Sequence, residues 1–538
     1  MAAVGGLVGA SGLAAVGVMT MVTPDAGTSN PADRQSSSGR TVARPPVDGG
    51  SKEQADGRSA GNDGDNGEEG GSSGKDDWAK DGKDGKDGKD GDKGKDGEKG
   101  KEHRDIKVRC DPDELIAALV HANAEGSAKL ELEPKCTYTL TAYDDIENDM
   151  GEVTGLPEIL GRVKINGNGA TIVRAANAAP FRIFTVGVGG DLTLSDLKVK
   201  GGDARGDLGG GALLVQEGGR ATVEGSTFTL NRTDSVGGAV SNLGITRIVG
   251  EKSDDHKDDP KKDDPKKDDP GKGDEKEYGN KKEYEDDSSY DDKDGSRDGA
   301  SKLTFNNAED GGGAVFNAGS LTVEKAKLTR NDTEDAGGAL LHVAGVAKVT
   351  KTKIDGNQAL GVGGGVASIN AGTITQIDKS SVTNNNAGED GGGVWNGAAS
   401  LYVRDTKIKH NTARDDAGGL QQIGGEAVVE KSEINENKAL TGDGGGAANA
   451  LGDLVLRRSE VNRNTAFGVG AVGGGIFHVS GDLRLTDTRV IENASTEPPG
   501  GIAALDDVFV DDESVIIKNR PTNCADGPIF EEVPNCFG

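Results

Sequence analysis

Five aspartates recur at one position of a sequence repeat, and their spacing is the first sign of chemistry in this chain. Each lies just ahead of a glycine run, and they are Asp310, Asp335, Asp390, Asp416 and Asp443. If successive repeats stack like β-strands, about 4.8 Å apart, these carboxylates repel one another and attract a hard cation with oxygen ligands. The pattern therefore predicts a Ca²⁺ site. The alternative is a solvated row of turn residues, because aspartate also favours turns.

A second set of side chains follows the glycines and could contact sugar rings. Aligned without gaps, two neighbouring columns combine amide, imidazole and aromatic groups, which suit sugar recognition on a flat strand face. The candidate ligand face consists of Phe316, Trp395, Asn396, Gln422, Asn449 and His478. Because side chains alternate along a strand, one of the two columns must point into the core.

No catalytic residue is predicted. His342, His410 and His478 lie in different repeats and are expected at the surface. Arg174 and Arg182 are expected to serve packing or local ion pairs. The sequence contains no G-x-S-x-G, no H-E-x-x-H and no phosphate-binding loop. A cluster of aspartate with arginine or lysine on one sheet face would favour an enzyme, since a catalytic site breaks a repeat locally.

These candidate residues lie on a repeat whose units each end in asparagine. The closing residues are Asn231, Asn306, Asn331, Asn357, Asn385, Asn411, Asn437, Asn464, Asn493 and Asn519. They recur every 25 to 29 residues, apart from a first spacing of 75 that becomes 25 when the charged tract 251–300 is set aside. Between them, apolar residues alternate with period two, which is typical of strands. The sequence thus predicts an all-β, right-handed parallel β-helix, in which the asparagines stack as a structural ladder.

The repeat motifs also carry a resemblance. GGAV, GGGAV and GGAL, paired with ends such as FTLN, resemble the repeats of polymorphic outer membrane proteins. CDPDELIAALVHANAEGSAKLELEPKCTYTLT and VKINGNGATIVR resemble secreted bacterial right-handed parallel β-helix repeat proteins with a pectate-lyase-like fold. The resemblance covers about residues 105–538 and implies the fold. It does not imply one activity, because this fold hosts lyases, hydrolases and adhesins. The outer-membrane relatives end in a membrane barrel, and no barrel is expected here.

Composition divides the chain into a folded part and charged tracts. Residues 1–26 are apolar and then abruptly polar, which predicts a signal peptide, with a weak membrane anchor as the alternative. Residues 27–104 form an acidic, disordered stalk with a Gly-X-Y tract, either a flexible spacer or a short collagen-like association element. We expect an N-terminal cap at 105–160, the β-helix at 161–519 with a disordered insertion at 251–300, and a C-terminal disulfide cap at 520–538.

Four cysteines lie in two close pairs, Cys110 with Cys136 and Cys524 with Cys536. An even count in a secreted chain predicts two disulfides, and proximity favours these pairs among three possible pairings. A zinc site is the rival, although the chain has no C-x-x-C. A helix is predicted over 111–124, where it would cap the N-terminal edge of the β-helix.

Charge and composition limit the partners. The net charge of −29 gives no support for nucleic-acid binding, and acidic polymers would be repelled unless cations intervene. We expect a secreted or cell-surface module that is non-catalytic and binds a polysaccharide or a cell-surface or matrix component, with Ca²⁺ as its candidate cofactor. The alternatives are a polysaccharide lyase or glycoside hydrolase of the same fold, and a structural rod that self-associates through the Gly-X-Y tract.

Overall fold

The computed structural model describes four stretches of the chain, which are 105–143, 153–251, 299–524 and 529–537. They form a parallel β-solenoid of about 13 turns with one α-helix, so the predicted fold is confirmed. The predicted signal peptide, the stalk and nearly all of the insertion lie outside the described residues. Within the described stretches, no helix is long and apolar enough to span a membrane.

Most turns of the solenoid contribute strands to four faces, which we number in chain order. In one turn, Val346–Thr350 lies on face 1, Lys353–Asp355 on face 2 and Gln358–Ala359 on face 3. A glycine-rich connection then leads to Val366–Ile369 on face 4. The next turn repeats this path directly above, so every strand pairs in parallel with its equivalents in the neighbouring turns.

The strands of face 1 are Ile106–Val108, Ser127–Leu132, Arg220–Glu224, Ile245–Val249, Ser320–Glu324, Val346–Thr350, Ile374–Asp378, Ser400–Arg404, Glu426–Glu430, Asp453–Arg457, Leu483–Thr486 and Val508–Val510. Two longer strands, Arg162–Arg174 and Asp191–Lys200, run across faces 1 and 2. The other strands of face 2 are Thr137–Leu140, Thr227–Thr229, Ser301–Thr304, Ala326–Thr329, Lys353–Asp355, Ser381–Thr383, Lys407–Lys409, Glu433–Asn435, Glu460–Asn462, Arg489–Ile491 and Val515–Ile517.

The strands of face 3 are Asp203–Ala204, Arg232–Thr233, Asn307–Ala308, Asp332–Thr333, Gln358–Ala359, Asn386–Ala387, Thr412–Ala413, Lys438–Ala439, Thr465–Ala466 and Ala494–Ser495. The strands of face 4 are Phe184–Val186, Leu213–Val215, Val240–Asn242, Val315–Asn317, Leu340–His342, Val366–Ile369, Val394–Gly397, Leu420–Ile423, Ala447–Ala450, Ile476–His478 and Ile502–Ala504.

Small aliphatic side chains fill the interior as columns that run along the solenoid. Val323, Val349 and Ile377 occupy equivalent positions in successive turns and are at most 1% exposed. Burial of each such side chain contributes about 1.5–3 kcal/mol. Because every layer is thin, valine, leucine and isoleucine suffice to fill it, in keeping with an aromatic content of only 3%.

The asparagine column lies inside the corner between faces 2 and 3. Asn411 Nδ2 donates to Asn437 Oδ1 at 3.0 Å and to the Val382 carbonyl at 2.9 Å, and the Asn411 backbone N–H donates to the same Asn437 oxygen at 3.0 Å. The equivalent bonds run from Asn231 to Asn519 and end on Asn523. The ladder therefore satisfies both the amide side chains and the backbone of every corner.

Both ends of the described solenoid are closed by a disulfide-linked segment. The helix spans Pro112–Glu125, with Asp111 as its N-cap, and its Leu115 and Leu119 join the solenoid core. Cys110 is bonded to Cys136 and Cys524 to Cys536, with Cα–Cα distances of 5.6 and 6.3 Å. The helix thus covers the first turns, as its apolar face predicts.

The charged tract 251–300 is inserted at a single corner between faces 1 and 2. Val249 pairs with Glu324, and Ser301 pairs with Ala326, so Gly250 takes the place that Lys325 has in the next turn. The Glu251 N–H and the Gly299 carbonyl lie 2.5 Å apart at the base of the tract. The register on both sides of the insertion is therefore the same as in uninterrupted turns.

Candidate functional site

The predicted aspartate column lies in the glycine-rich turns that connect face 3 to face 4. Asp390, Asp416 and Asp443 are half-buried there. Asp390 Oδ1 accepts the backbone N–H of Asp416 at 2.8 Å, and Asp416 Oδ1 accepts that of Asp443 at 2.6 Å. Asp443 Oδ1 in turn accepts the N–H of Val472 at 2.8 Å. Each carboxylate thus holds the turn of the next coil, which is a structural role.

Glycine is required in these turns because neighbouring coils approach closely. A Cβ on Gly364 would lie 2.5 Å from the carbonyl oxygens of Asn386 and Gly392, well inside normal contact. Gly363 beside it has a φ of +66°, which side chains disfavour. The glycines therefore fix the path that brings successive aspartates into one column.

Burial is the largest influence on the pKa values of the three aspartates in this column. It raises the pKa of Asp390 to about 7, against the amide hydrogen bond, and the Asp416 carboxylate adds to the rise. Burial likewise raises the pKa of Asp443 to about 6 and raises that of Asp416. The three carboxyl groups therefore carry less negative charge near neutral pH than their sequence suggests.

The described residues do not form a preformed coordination site for Ca²⁺. Among them, no three His, Cys, Asp or Glu side chains are grouped so that they could hold a metal ion. Asp310 and Asp335 are exposed and do not belong to this column, which is a correction of the predicted alignment. They lie one position earlier, in a row that continues through Gly361 and Glu389 to Asp415, whereas Ala336 and Val362 precede Asp390 in its own column. The carboxylate oxygens that a cation would use are partly engaged by backbone amides. Ca²⁺ binding at this column stays a prediction.

The predicted ligand face requires a correction of register at Phe316. Phe316 pairs with Leu341, in the column that continues through Ala367 to Trp395, whereas Asn317 belongs to the column of Asn396. The reason is that Ala314 takes the place of the third glycine found in later turns. A gapless alignment from the last glycine therefore shifts Phe316 by one residue.

The amide and imidazole members of the predicted ligand face point into the solenoid. Asn396, Gln422, Asn449 and His478 are all fully buried on face 4. Asn396 Nδ2 donates to Gln422 Oε1 at 2.7 Å, and Asn449 Nδ2 lies 3.2 Å from His478 Nδ1. No sugar can contact them as they stand, so these four residues form an interior polar column instead of a ligand face.

The aromatic members of the predicted ligand face are covered as well. Phe316 is 2% exposed and Trp395 is 9% exposed, although both project outward from face 4. They pack with Leu341 and Ala367 beneath turn residues such as Ala336. The outer side of face 4 is thus a second small core, and these two aromatic side chains are not available as an exposed surface.

Two of the three histidines are interior, contrary to expectation. His342 Nδ1 lies 2.8 Å from Thr375 Oγ1, and its Nε2 lies 2.9 Å from the Ala344 carbonyl. Burial lowers the pKa of His342 to about 4, and burial also lowers the pKa of His478. Only His410 of the three is exposed, with its Nδ1 3.4 Å from Glu436.

An ion-pair network on face 3 confirms the local ion pair expected of Arg174, but its centre at Asp203 was missed in the sequence. Asp203 is 1% exposed, and Arg232 donates to its Oδ2 from Nε at 2.9 Å and from Nη2 at 2.6 Å. Arg205 Nε lies 3.0 Å from Asp203 Oδ1, and Arg174 Nη2 lies 3.5 Å from Oδ2. The available signal was the 29-residue spacing of Asp203 and Arg232, which places them side by side on adjacent turns.

In this cluster, Arg174, Arg205 and Arg232 all contact the carboxylate of Asp203. Burial lowers the pKa of Arg174. The negative charge of Asp203 opposes this shift, and the positive charges of Arg232 and Arg205 add to it. The three guanidinium groups offset the charge of the buried Asp203 carboxylate. The network is suited to fixing the first turns of the solenoid.

The fold and these columns define the class of protein, a disulfide-capped parallel β-solenoid. No protein-family model, curated protein or solved structure matches the chain. Its function must therefore be argued from the described residues themselves.

Proposed function

We propose that this protein is a secreted or cell-surface module that binds glycan or matrix polymers without cleaving them. The observation that carries the proposal is the regular register of the solenoid. From Arg220–Glu224 to Val508–Val510, each strand of face 1 pairs residue for residue with the next. A catalytic site is a local departure from a repeat, whereas a repeating surface presents one contact many times.

A repeating protein surface complements a repeating polymer. Each turn of the solenoid adds an equivalent set of outward side chains about 4.8 Å further along. Several weak contacts on one rigid body act together, so the combined affinity exceeds that of any single contact. This supports a polysaccharide or matrix polymer as the ligand.

The two disulfides support an extracellular setting. Disulfides form and persist in oxidising compartments and are rare in the cytosol. Both lie in the end segments, where they hold the first and last turns against fraying.

The experiment is retention of the full chain on a panel of immobilised plant, fungal and bacterial polysaccharides, once with Ca²⁺ and once with EDTA. We expect retention on at least one polymer without release of new reducing ends. Failure to bind any polymer on the panel would overturn the proposal, and release of reducing ends would replace binding with cleavage.

The arginine cluster around Asp203 favours one alternative, a polysaccharide lyase or glycoside hydrolase. Acidic and basic groups meet there on one face, and Arg232 keeps 57% of its side chain exposed. If this alternative holds, Arg232→Gln abolishes reducing-end release, whereas Arg220→Gln, an exposed arginine on face 1, leaves it unchanged. Equal activity of both variants, or none in the wild type, would remove the alternative.

A further inference from the structure

We propose that the corner between faces 2 and 3 forms a subsite for one neutral sugar ring of a polysaccharide, lined by Leu230, Phe305, Asn307 and Asp332. This inference deepens the proposed function and rests on it. Leu230 and Phe305 each precede a ladder asparagine, in adjacent turns of the solenoid. They are 53% and 47% exposed, and we call these two residues the apolar ledge. Asn307 and Asp332 are the outward residues of adjacent strands on face 3.

The apolar ledge departs from the rest of its column. One residue with a positive φ stands at this corner in each of these turns, and the backbone hydrogen bonds of the column continue through the ledge. The other members are all glycine or polar, namely Gly201, Arg330, Gly356, Asn384, His410, Glu436, Arg463, Glu492 and Lys518. Leu230 and Phe305 have φ angles of 56°, which large side chains disfavour, and both leave apolar surface in water. A local departure without a structural gain is typical of a functional site.

The size and chemistry of the ledge suit one sugar ring. A pyranose ring has an apolar face of C–H groups, and an exposed aromatic or aliphatic side chain can cover that face from water. The Cζ atom of Arg330 lies 5.5 Å from the centroid of the Phe305 ring, and this cation–π contact supports the ring from one side. A stable protein interface buries about 800 Å² per partner, far more than two side chains provide. The ledge therefore favours a sugar over a protein.

Asn307 and Asp332 supply hydrogen-bonding groups beside the ledge. Asn306 separates Phe305 from Asn307 and points into the core, so the residues on either side of it lie on the outer surface of the corner. Asn307 Nδ2 donates to Asp332 Oδ2 at 3.2 Å. This bond uses one of the two amide hydrogens, and the other hydrogen, the amide oxygen and Asp332 Oδ1 remain for a ligand. A donor beside acceptors matches two neighbouring hydroxyl groups of a sugar.

The charges around the subsite favour a neutral sugar over an acidic one. Burial raises the pKa of Asp332, and the Glu334 carboxylate adds to the rise, so further negative charge is unfavourable there. Arg232, which pairs with Asn307 on the other side, already donates to Asp203 from two of its nitrogens. An acidic sugar on the ledge would bring its carboxylate close to that of Asp332, whereas a neutral sugar offers only hydroxyl groups.

The test uses substitutions in the full chain that the fold should accept. The ledge variant combines Leu230→Gly and Phe305→Gly, because Gly356 already occupies the equivalent corner with a φ of +65°. The control variant combines His410→Gly and Glu436→Gly, two members of the same column whose side chains are 51% and 41% exposed. Circular dichroism and thermal midpoints show whether the variants are folded.

A third variant tests the polar half of the subsite. Asp332→Ala removes the acceptor for a sugar hydroxyl and leaves the ledge in place, so the test stays decisive even if the ledge variant does not fold. Its control is Asp453→Ala, an exposed aspartate on face 1. Affinity for mixed-linkage β-glucan and for galactan, two neutral polymers, is measured at low and at physiological salt, with alginate as the acidic comparison.

We expect the wild type to bind at least one of the neutral polymers with an affinity that hardly changes with salt, since the contacts do not depend on net charge. The ledge variant should lose about tenfold in affinity, because two half-exposed apolar side chains no longer cover the sugar. Asp332→Ala should lose a similar factor, and both controls should stay within about twofold.

Unchanged affinity of the ledge variant or of Asp332→Ala would overturn the subsite. An equal loss in the matching control, a steep loss of affinity with salt, or binding to alginate alone would also overturn it. In each of these cases the chain still binds a polysaccharide, so the proposed function stands. If no polysaccharide binds at all, both fail.

Discussion

At the scale of residues, polar side chains are tolerated inside this solenoid because each finds its equivalent in the next turn. The asparagine ladder could be predicted, since its period and its amide chemistry are both visible in the sequence. The burial of Asn396 and His478 could not be predicted, because alternation alone does not show which column of side chains faces inward. Ala314, which stands in the place of a third glycine, also shifted the alignment at Phe316.

A first prediction concerns the ladder. Asn385→Ala removes the acceptor for two bonds from Asn357 and the donor to Asn411, all inside the protein. Leaving these groups unpaired should lower the free energy of unfolding by about 2–4 kcal/mol in urea titrations. The neighbouring Asn386→Ala, which is exposed, should change it by less than about 0.5 kcal/mol. If both variants lowered the free energy of unfolding equally, the ladder would contribute no more to stability than an exposed asparagine does.

A second prediction concerns the pKa of Asp390, about 7 in the folded protein and near 3.8 when unfolded. Between these values the folded state holds a proton that the unfolded state releases, so stability from this group falls as the pH rises from about 4 to about 7. Asp390→Asn keeps the acceptor for the Asp416 amide and should raise stability at pH 8 by on the order of 1 kcal/mol, since the carboxylate is partly solvated, with little gain at pH 5.

The control for this prediction is Asp453→Asn, an exposed position on face 1. Thermal midpoints at pH 5 and pH 8, each with and without Ca²⁺, also test the predicted cation. If Ca²⁺ binds at the column, it raises the midpoint of the wild type at pH 8 and not that of Asp390→Asn. A pH-independent effect of Asp390→Asn would contradict the buried carboxyl group.

At the scale of elements, the ends of the solenoid behave differently from its middle. The helix could be predicted because Asp111, Pro112 and Gly126 mark its ends and Leu115 and Leu119 share a face. The short strands of face 3 could not be predicted, because two-residue strands leave no periodic pattern. The covered surface of face 4 could not be predicted either. The cover of face 4 comes from residues of the glycine-rich turns before it, such as Ala336, and of the corners after it, such as Val343.

A third prediction follows from the N-terminal cap. Cys110→Ser combined with Cys136→Ser removes a cross-link that spans 26 residues, worth about 3 kcal/mol. Each turn of a solenoid contacts its neighbours only, so the loss should be local. Hydrogen exchange should accelerate across 106–140 and remain unchanged across 320–460. Uniform acceleration along the whole solenoid would contradict this local stability.

At the scale of the whole molecule, the period of the repeat was sufficient to predict most of the fold. Its 25 to 29 residues predicted ten repeat units, against about 13 turns in the structure, and identified 251–300 as an insertion, because one unit was too long by that tract. Residues that are distant in the sequence, such as Lys302, Lys327 and Lys353, come to lie side by side only when the turns are stacked, so composition and net charge could not predict their proximity.

A fourth prediction concerns the insertion. Deletion of residues 251–300 joins Gly250 to Ser301, which reproduces the corner that Lys325 and Ala326 form in the next turn. The thermal midpoint should change by less than about 3 °C, the shift that about 1 kcal/mol produces in a domain of some 200 residues. Replacement of the five residues 320–324 by glycine-serine sequence, which removes a face 1 strand, is the destabilising comparison. A deletion as damaging as that replacement would show that the tract is part of the fold.

The most direct test of a module that binds polysaccharide without cleaving it is the molar mass of the polymer itself. The full chain is incubated with the polysaccharide that it retains, and the mixture is followed over time by size-exclusion chromatography with light scattering. The account predicts that the protein elutes with the polymer while the molar mass of the polymer stays constant. A molar mass that falls with time, and that stops falling in Arg232→Gln, would contradict it and make the protein an enzyme.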